Sequence, residues 1–141
     1  MSGRLFAKLR DKQGLAYVVG ALYPSRRDPS FFAIHTGTAP HNLAQAEEGI
    51  RMEVERVRWS PALAEEVARA KAYLLGTLAL DRRTNARYAW YLAFFELEGV
   101  GHDFLDRYAA GVEAVTPEDV QRVAQTYLSR ATITILSPPA R

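Results

Sequence analysis

Residues 2–17, SGRLFAKLRDKQGLAY, constrain the fold of this chain more than any other stretch, because they join a short amphipathic helix to a strand across one glycine. Leu5, Phe6 and Leu9 fall at i, i+1 and i+4, a compact apolar face, while Arg4, Lys8 and Arg10 take the wet side. Ser2 is read as the N-cap, weakened by Gly3 in the first turn. Gly14 stops the helix, since a positive φ costs glycine little. The run that follows, LAYVVGALY, is almost wholly apolar and rich in branched and aromatic residues, so it reads as a strand covered on both faces. Arg10 therefore stands on the last helical turn and Tyr17 near the start of the strand. Each has an ordinary structural use: an arginine at a helix C-terminus favours the helix dipole, and a tyrosine in an apolar strand is commonly core with its hydroxyl at the edge.

The remaining elements follow from periodicity and punctuation. The segment YPSRRDPS reads as a turn and SFFAIHT as a second strand, antiparallel to the first by its short connection. Pro40 and Asn42 open a helix running to about Val57, with Leu43, Ala46, Ile50, Val54 and Val57 spaced for one buried stripe. Ser60 and Pro61 are read as the start of the next helix. An aromatic helix follows in TNARYAWYLAFFELEG, with Tyr88, Tyr91 and Phe95 on one face and Trp90 and Phe94 on another. It is read as core and interdomain contact ahead of an aromatic box for a ligand, because helices hydrophobic over a wide arc are usually buried. Gly99 and Gly101 end it, Asp103 caps a helix through Val112, and the residues Thr116, Pro117, Glu118 and Asp119 start one to about Leu128. In ATITILS, Ile133 and Ile135 alternate with Thr132 and Thr134, the pattern of a third strand, stopped by Pro138 and Pro139. The fold class is α+β, a small antiparallel sheet with helices packed on one face.

Composition narrows the function. The chain has 141 residues, 48% hydrophobic and 24% charged, which suits one domain able to bury a sizeable core. Net charge is only +2, and the pairs Arg26–Arg27 and Arg82–Arg83 are too short to form a nucleic-acid stripe. With no cysteine, disulfide and thiolate chemistry are excluded. No run has the length of a membrane span and no signal peptide leads the chain, so no membrane partner is expected and the cytoplasm is the expected location. The three histidines are His35, His41 and His102. None stands in the three- or four-residue helical spacing of a zinc pair, and no third ligand is signalled near the loop from His35 to His41. The expectation is no metal site in this polypeptide.

The first segment closely resembles a signature of the zinc peptidases grouped with pitrilysin, insulin-degrading enzyme and mitochondrial processing peptidase. The family's R-L-F-x-x-L-R-x-x-x-G-L-A-Y run is matched by Arg4, Leu5, Phe6, Leu9, Arg10, Gly14, Leu15, Ala16 and Tyr17. The helix after Pro61 also resembles a family helix with an acidic start, a lysine and a glycine, here Glu66, Lys71 and Gly76. The resemblance implies that Arg10 and Tyr17 bind peptide substrate beside a zinc ion held by a different domain or chain, where zinc-activated water attacks the peptide bond. Arginine offers a planar fork of donors to carbonyls or a carboxylate, and a tyrosine hydroxyl stabilises an oxyanion. It implies further that this chain is part of a C-terminal domain lacking its first strand and helix, with Met1 an internal methionine, inactive by itself. The sheet edge so exposed predicts a homo-oligomer. Two other functions stay open: a non-catalytic partner subunit of the same family, and a module that takes an extended peptide by strand addition.

Overall fold

The structure is a computed structural model that describes residues 3–24, 26 and 28–137. The expected cap at Ser2, the role given to Met1, the Arg27 half of the Arg26–Arg27 pair and the stop at Pro138 and Pro139 lie outside those residues. Two compact units are formed, one from Met1–Pro24, Ser30–Ser60 and Arg122–Arg141, the other from Ser25–Pro29 and Pro61–Gln121. The architecture is α+β, as expected: a π-helix at Phe6–Lys12, strands β1 (Val18–Leu22) and β2 (Ala33–Gly37), a short 3-10 turn at Pro40–Asn42, then α1 (Leu43–Trp59), α2 (Ala64–Asp81), α3 (Asn85–Leu97), α4 (Phe104–Ala114) and α5 (Pro117–Tyr127).

In the first unit, β1 and β2 pair antiparallel in a register running from Val18 opposite Gly37 to Leu22 opposite Ala33. The Ser30 hydroxyl donates to the Pro24 carbonyl and closes the connection between them. At the centre of the ladder Gly20 faces His35, and a Cβ at Gly20 would stand 2.8 Å from the imidazole Cε1, so the ring lies over a position only glycine leaves free. The π-helix packs on both β1 and α1. Its core contact is Leu9, 1% exposed, seated in a notch at Gly49 of α1. The apolar stripe of α1 is as its spacing predicts, fully buried at Ala46 and half-buried at Leu43, Ile50, Val54 and Val57. The wet face carries the ion pair of Arg51 with Glu47 at 2.9 Å, and Glu55 accepts from the Trp59 indole at 2.6 Å. The end of α5 is tied to the end of α1 by the Gln125 amide, which donates to the Arg58 carbonyl at 2.9 Å.

Four sequence expectations are corrected here. The strand in LAYVVGALY is not covered on both faces: Val18, Leu22 and Tyr23 are exposed, because among the described residues the sheet has two strands and little stacks on it. Residues 131–137 form no ladder and are exposed, Leu136 at 99%, so alternation there does not produce a third strand without a neighbour to pair with. Ser60 caps the end of α1, its N–H bonded to the Arg56 carbonyl at 2.9 Å. Pro61 holds Ser60 extended, and α2 starts only at Ala64. Finally, α3 buries no residue completely, and its aromatic rings stack on one another instead.

In the second unit those rings form a continuous run. Trp90 stacks on Phe94 at 4.9 Å, Tyr91 on Phe95 at 5.9 Å, and Phe95 meets Phe104 of α4 at 4.6 Å. Gly99 and Gly101 adopt φ of 79° and 89° and turn the chain into α4. The Lys71 ammonium donates to the Glu113 carbonyl at 2.7 Å, satisfying the C-terminal turn of α4 from α2. The start of α5 is a reciprocal capping box: Asp119 N–H to the Thr116 hydroxyl and Thr116 N–H to the Asp119 carboxylate, both 3.1 Å. Between α2 and α3, Asp81 takes Arg87 at 2.8 Å and the Tyr91 hydroxyl at 2.5 Å.

Two outcomes are expected. A Cβ at position 49 would meet Leu9 Cδ2 at 2.4 Å, and Leu9 is fully buried with little room to yield. Overpacking costs about 1–3 kcal/mol against roughly 1 kcal/mol of helix propensity gained, so Gly49→Ala lowers stability by about 1 kcal/mol in urea unfolding. An alanine variant as stable as the parent contradicts the notch. Hydrogen bonds from Arg87 and Tyr91 hold the Asp81 carboxyl below its ordinary 3.8. That stabilisation is present above the unfolded value and is lost as pH falls through the depressed folded one. Carboxyl carbon shifts should therefore show an Asp81 midpoint below 3.8 that moves back upward in Arg87→Ala.

Candidate functional site

The site expected from the sequence lies where the π-helix turns into β1. A π-helix bonds i to i+5 and turns about 80° per residue, so Phe6 and Arg10 nearly share a face. The Arg10 guanidinium accordingly sits 4.9 Å from the Phe6 ring centroid, a cation–π contact that gives the long side chain a preferred direction. This accounts physically for a phenylalanine and an arginine at that spacing. Arg10 is exposed, and with Lys12 it also lies in the last turn, where a cation favours the helix C-terminus.

The helix is closed by Gly14 at φ 62°. Gly14 N–H bonds the Arg10 carbonyl at 3.1 Å and Leu15 N–H bonds the Leu9 carbonyl at 2.8 Å. These are the bonds of a glycine-terminated helix, each one residue longer than in an α-helix, as π-helical winding requires. The Thr38 hydroxyl donates to the Leu15 carbonyl and the Tyr17 N–H to the Gly37 carbonyl at 2.8 Å, so the backbone on either side of Ala16 is tied to the end of β2. Ala16 is buried. Tyr17 is 73% exposed, which removes the reading of it as a core tyrosine. Both candidate substrate-binding side chains thus project from an anchored backbone into solvent, one on each side of the glycine turn.

The histidines do not converge. His35 lies on the sheet over Gly20, His41 is exposed in the 3-10 turn, and His102 approaches Glu96 at 3.5 Å with both side chains open. Among the described residues no group of three or more histidine, aspartate or glutamate side chains is placed to hold a metal ion, so these donors do not fit zinc. No helix among them is long and apolar enough to cross a membrane. Glu66 and Lys71, singled out beside the main signature, serve the start of α2 and the end of α4.

Sequence reasoning missed the partners of the π-helix. Glu53 is buried on α1, with Lys8 at 3.0 Å and Arg56 at 3.1 Å on one carboxylate oxygen. The signal was present: Glu53 stands seven residues after the fully buried Ala46, an acid on the apolar stripe.

The chain is thus an α+β protein that presents an exposed arginine and an exposed tyrosine on an anchored backbone. Residues 1–74 match the family profile described as the peptidase M16 inactive domain, and the chain belongs to that family. It is 28% identical over 139 residues to a protein of Streptomyces coelicolor named as an uncharacterized zinc protease, covering 98% of this chain and 30% of that one. A Bacillus subtilis protein of the same description is 27% identical over 139 residues, 98% of this chain and 34% of its own length. The chain thus spans about a third of the curated relatives it matches. The fold is similar to the crystal structure of a peptidase M16 inactive domain from Pseudomonas fluorescens, with a TM-score of 0.72 and 19% identity over 89% of this chain and 30% of that one.

The turn itself is testable. Nothing lies within 4 Å of where a Cβ at Gly14 would be, so substitution there is opposed by backbone conformation alone. Gly14→Ala should cost about 1 kcal/mol in chemical unfolding and Gly14→Asn less, since asparagine tolerates the left-handed region. Equal stability of glycine and alanine at this position contradicts the turn.

Proposed function

We propose that this chain is the substrate-holding, non-metal part of a zinc metallopeptidase and works with a zinc-bearing domain, on the same or another polypeptide. The observation that carries the reading is the pair Arg10 and Tyr17, exposed on an anchored backbone at the positions where the peptidase signature has them. The relatives described as zinc proteases are about three times as long, which leaves length for such a domain. Zinc on that domain supplies the hydrolytic chemistry. Arg10 binds a peptide carbonyl or carboxylate through its planar fork, and the Tyr17 hydroxyl donates to the oxygen on which charge develops. By itself the chain cleaves nothing.

Association belongs to the same reading. The two-stranded sheet leaves outer edges open among the described residues, and Val18, Leu22, Tyr23, Phe31 and Phe32 are exposed around it. Such an edge pairs readily with a further strand, from a second copy or from the zinc-bearing partner. A second reading, a non-catalytic partner subunit, is favoured by one observation: the matching family is described as an inactive domain.

Mixing the chain with a zinc-bearing half of a related peptidase separates the two. Substrate holding predicts chelator-sensitive peptide cleavage. Tyr17→Phe lowers kcat by roughly a hundredfold, as for loss of an oxyanion donor, and Arg10→Ala mainly raises KM. Full cleavage in both variants assigns the chain to the non-catalytic subunits.

A further inference from the structure

We infer that Glu53 is a positioning residue for Arg10, acting through the rotation of the π-helix; the inference rests on the substrate-holding reading above. Glu53 is 5% exposed, and its Oε2 is buried with no hydrogen-bond partner among the described residues. Burying a carboxylate costs several kcal/mol unless it is paired, and an aliphatic residue at this point of the α1 stripe would avoid that cost. Arg56 is on the same helix and needs no buried partner. What Glu53 uniquely provides is a tie to another element, the Lys8 ammonium at 3.0 Å.

The geometry gives that tie a purpose. Lys8, Leu9 and Arg10 are consecutive on a helix that advances about 80° per residue, so Lys8 and Arg10 point in nearly opposite directions. Leu9 in its Gly49 notch is the helix's fully buried contact with α1, and an apolar contact of this kind does not by itself set the helix's angle on α1. A second attachment at Lys8, on an adjacent face, fixes the angle and turns Arg10 outward, where the Phe6 ring holds its guanidinium. The same rotation sets the direction in which the chain enters the Gly14 turn towards Tyr17. Glu53 touches no substrate; it selects which way Arg10 faces.

The test uses Glu53→Gln, which keeps the shape and removes the charge, and Lys8→Met, which removes the other end from a partly exposed site. In the chain alone, amide exchange of Gly14 and Leu15 should quicken about tenfold in both variants, with circular dichroism unchanged. With the zinc-bearing half added, each should raise KM about tenfold and leave kcat within about twofold, and neither should add to Arg10→Ala in a double-mutant cycle. If Glu53→Gln does not fold, Lys8→Met carries the same test. Parental KM in both variants while Arg10→Ala is impaired overturns the positioning role and leaves the substrate-holding reading intact. An unimpaired Arg10→Ala overturns that reading and the role with it, and additive losses in the double mutant reassign Glu53 to stability alone.

Discussion

Everything that can be said of the candidate site depends on one piece of packing, Leu9 in the notch that Gly49 leaves in α1. A helix of this length has no stability of its own in water, because nucleation outweighs the few bonds it closes. Burying a leucine contributes about 1.5–3 kcal/mol, enough to hold a short element that propensity would not. The notch works because glycine lets the leucine approach the α1 backbone closely, and the Lys8–Glu53 pair adds a second, polar tie between the same two elements. From that attachment the chain runs through a glycine turn into β1, so the positions of Arg10 and Tyr17 are both inherited from a contact neither residue makes.

The elements whose shape is set locally were legible in the sequence. Gly14, Gly99 and Gly101 take positive φ where their placement indicated, and the Thr116–Asp119 box starts α5. The stripe of α1 was readable because a helix repeats its own pattern. The π form was not: Leu5, Phe6 and Leu9 at i, i+1 and i+4 fit either an α-helix or a π-helix, and the backbone bonds distinguish them, that from the Gln13 N–H to the Lys8 carbonyl spanning five residues. Strands were the weaker case, because alternation describes a strand's faces while its existence depends on a neighbour. ATITILS alternates well and has no ladder. At Ser60 the same residue types that start helices end one, since an extended residue before proline serves both purposes.

The site divides along the same line. Arg10 and Tyr17 became candidates because a run of matching residues marked them, and the family that run pointed to is the one the chain belongs to. The residues that hold them could not be found that way. Gly49 has meaning only when Leu9 is opposite it, and Glu53 looked like one more acid in a charged helix until its exposure was known. Pairings between elements distant in sequence leave no periodic trace.

Under the proposed function, geometry is what this chain would contribute to hydrolysis. Positioning is worth several kcal/mol of a barrier when a group is held in place, and little when the group is on a loose chain. The structure is consistent with that accounting. Its rarer features, a π-helix, a buried carboxylate and a glycine notch, are gathered around the short segment from Phe6 to Tyr17. The rest of the chain is built from common parts, and many of its large apolar side chains, Trp59, Tyr73 and Leu80 among them, remain open to solvent. The costly arrangements are therefore those that give Arg10 a direction and Tyr17 a fixed backbone, which is what the proposed substrate holding would require of a fold that keeps a buried carboxylate at Glu53.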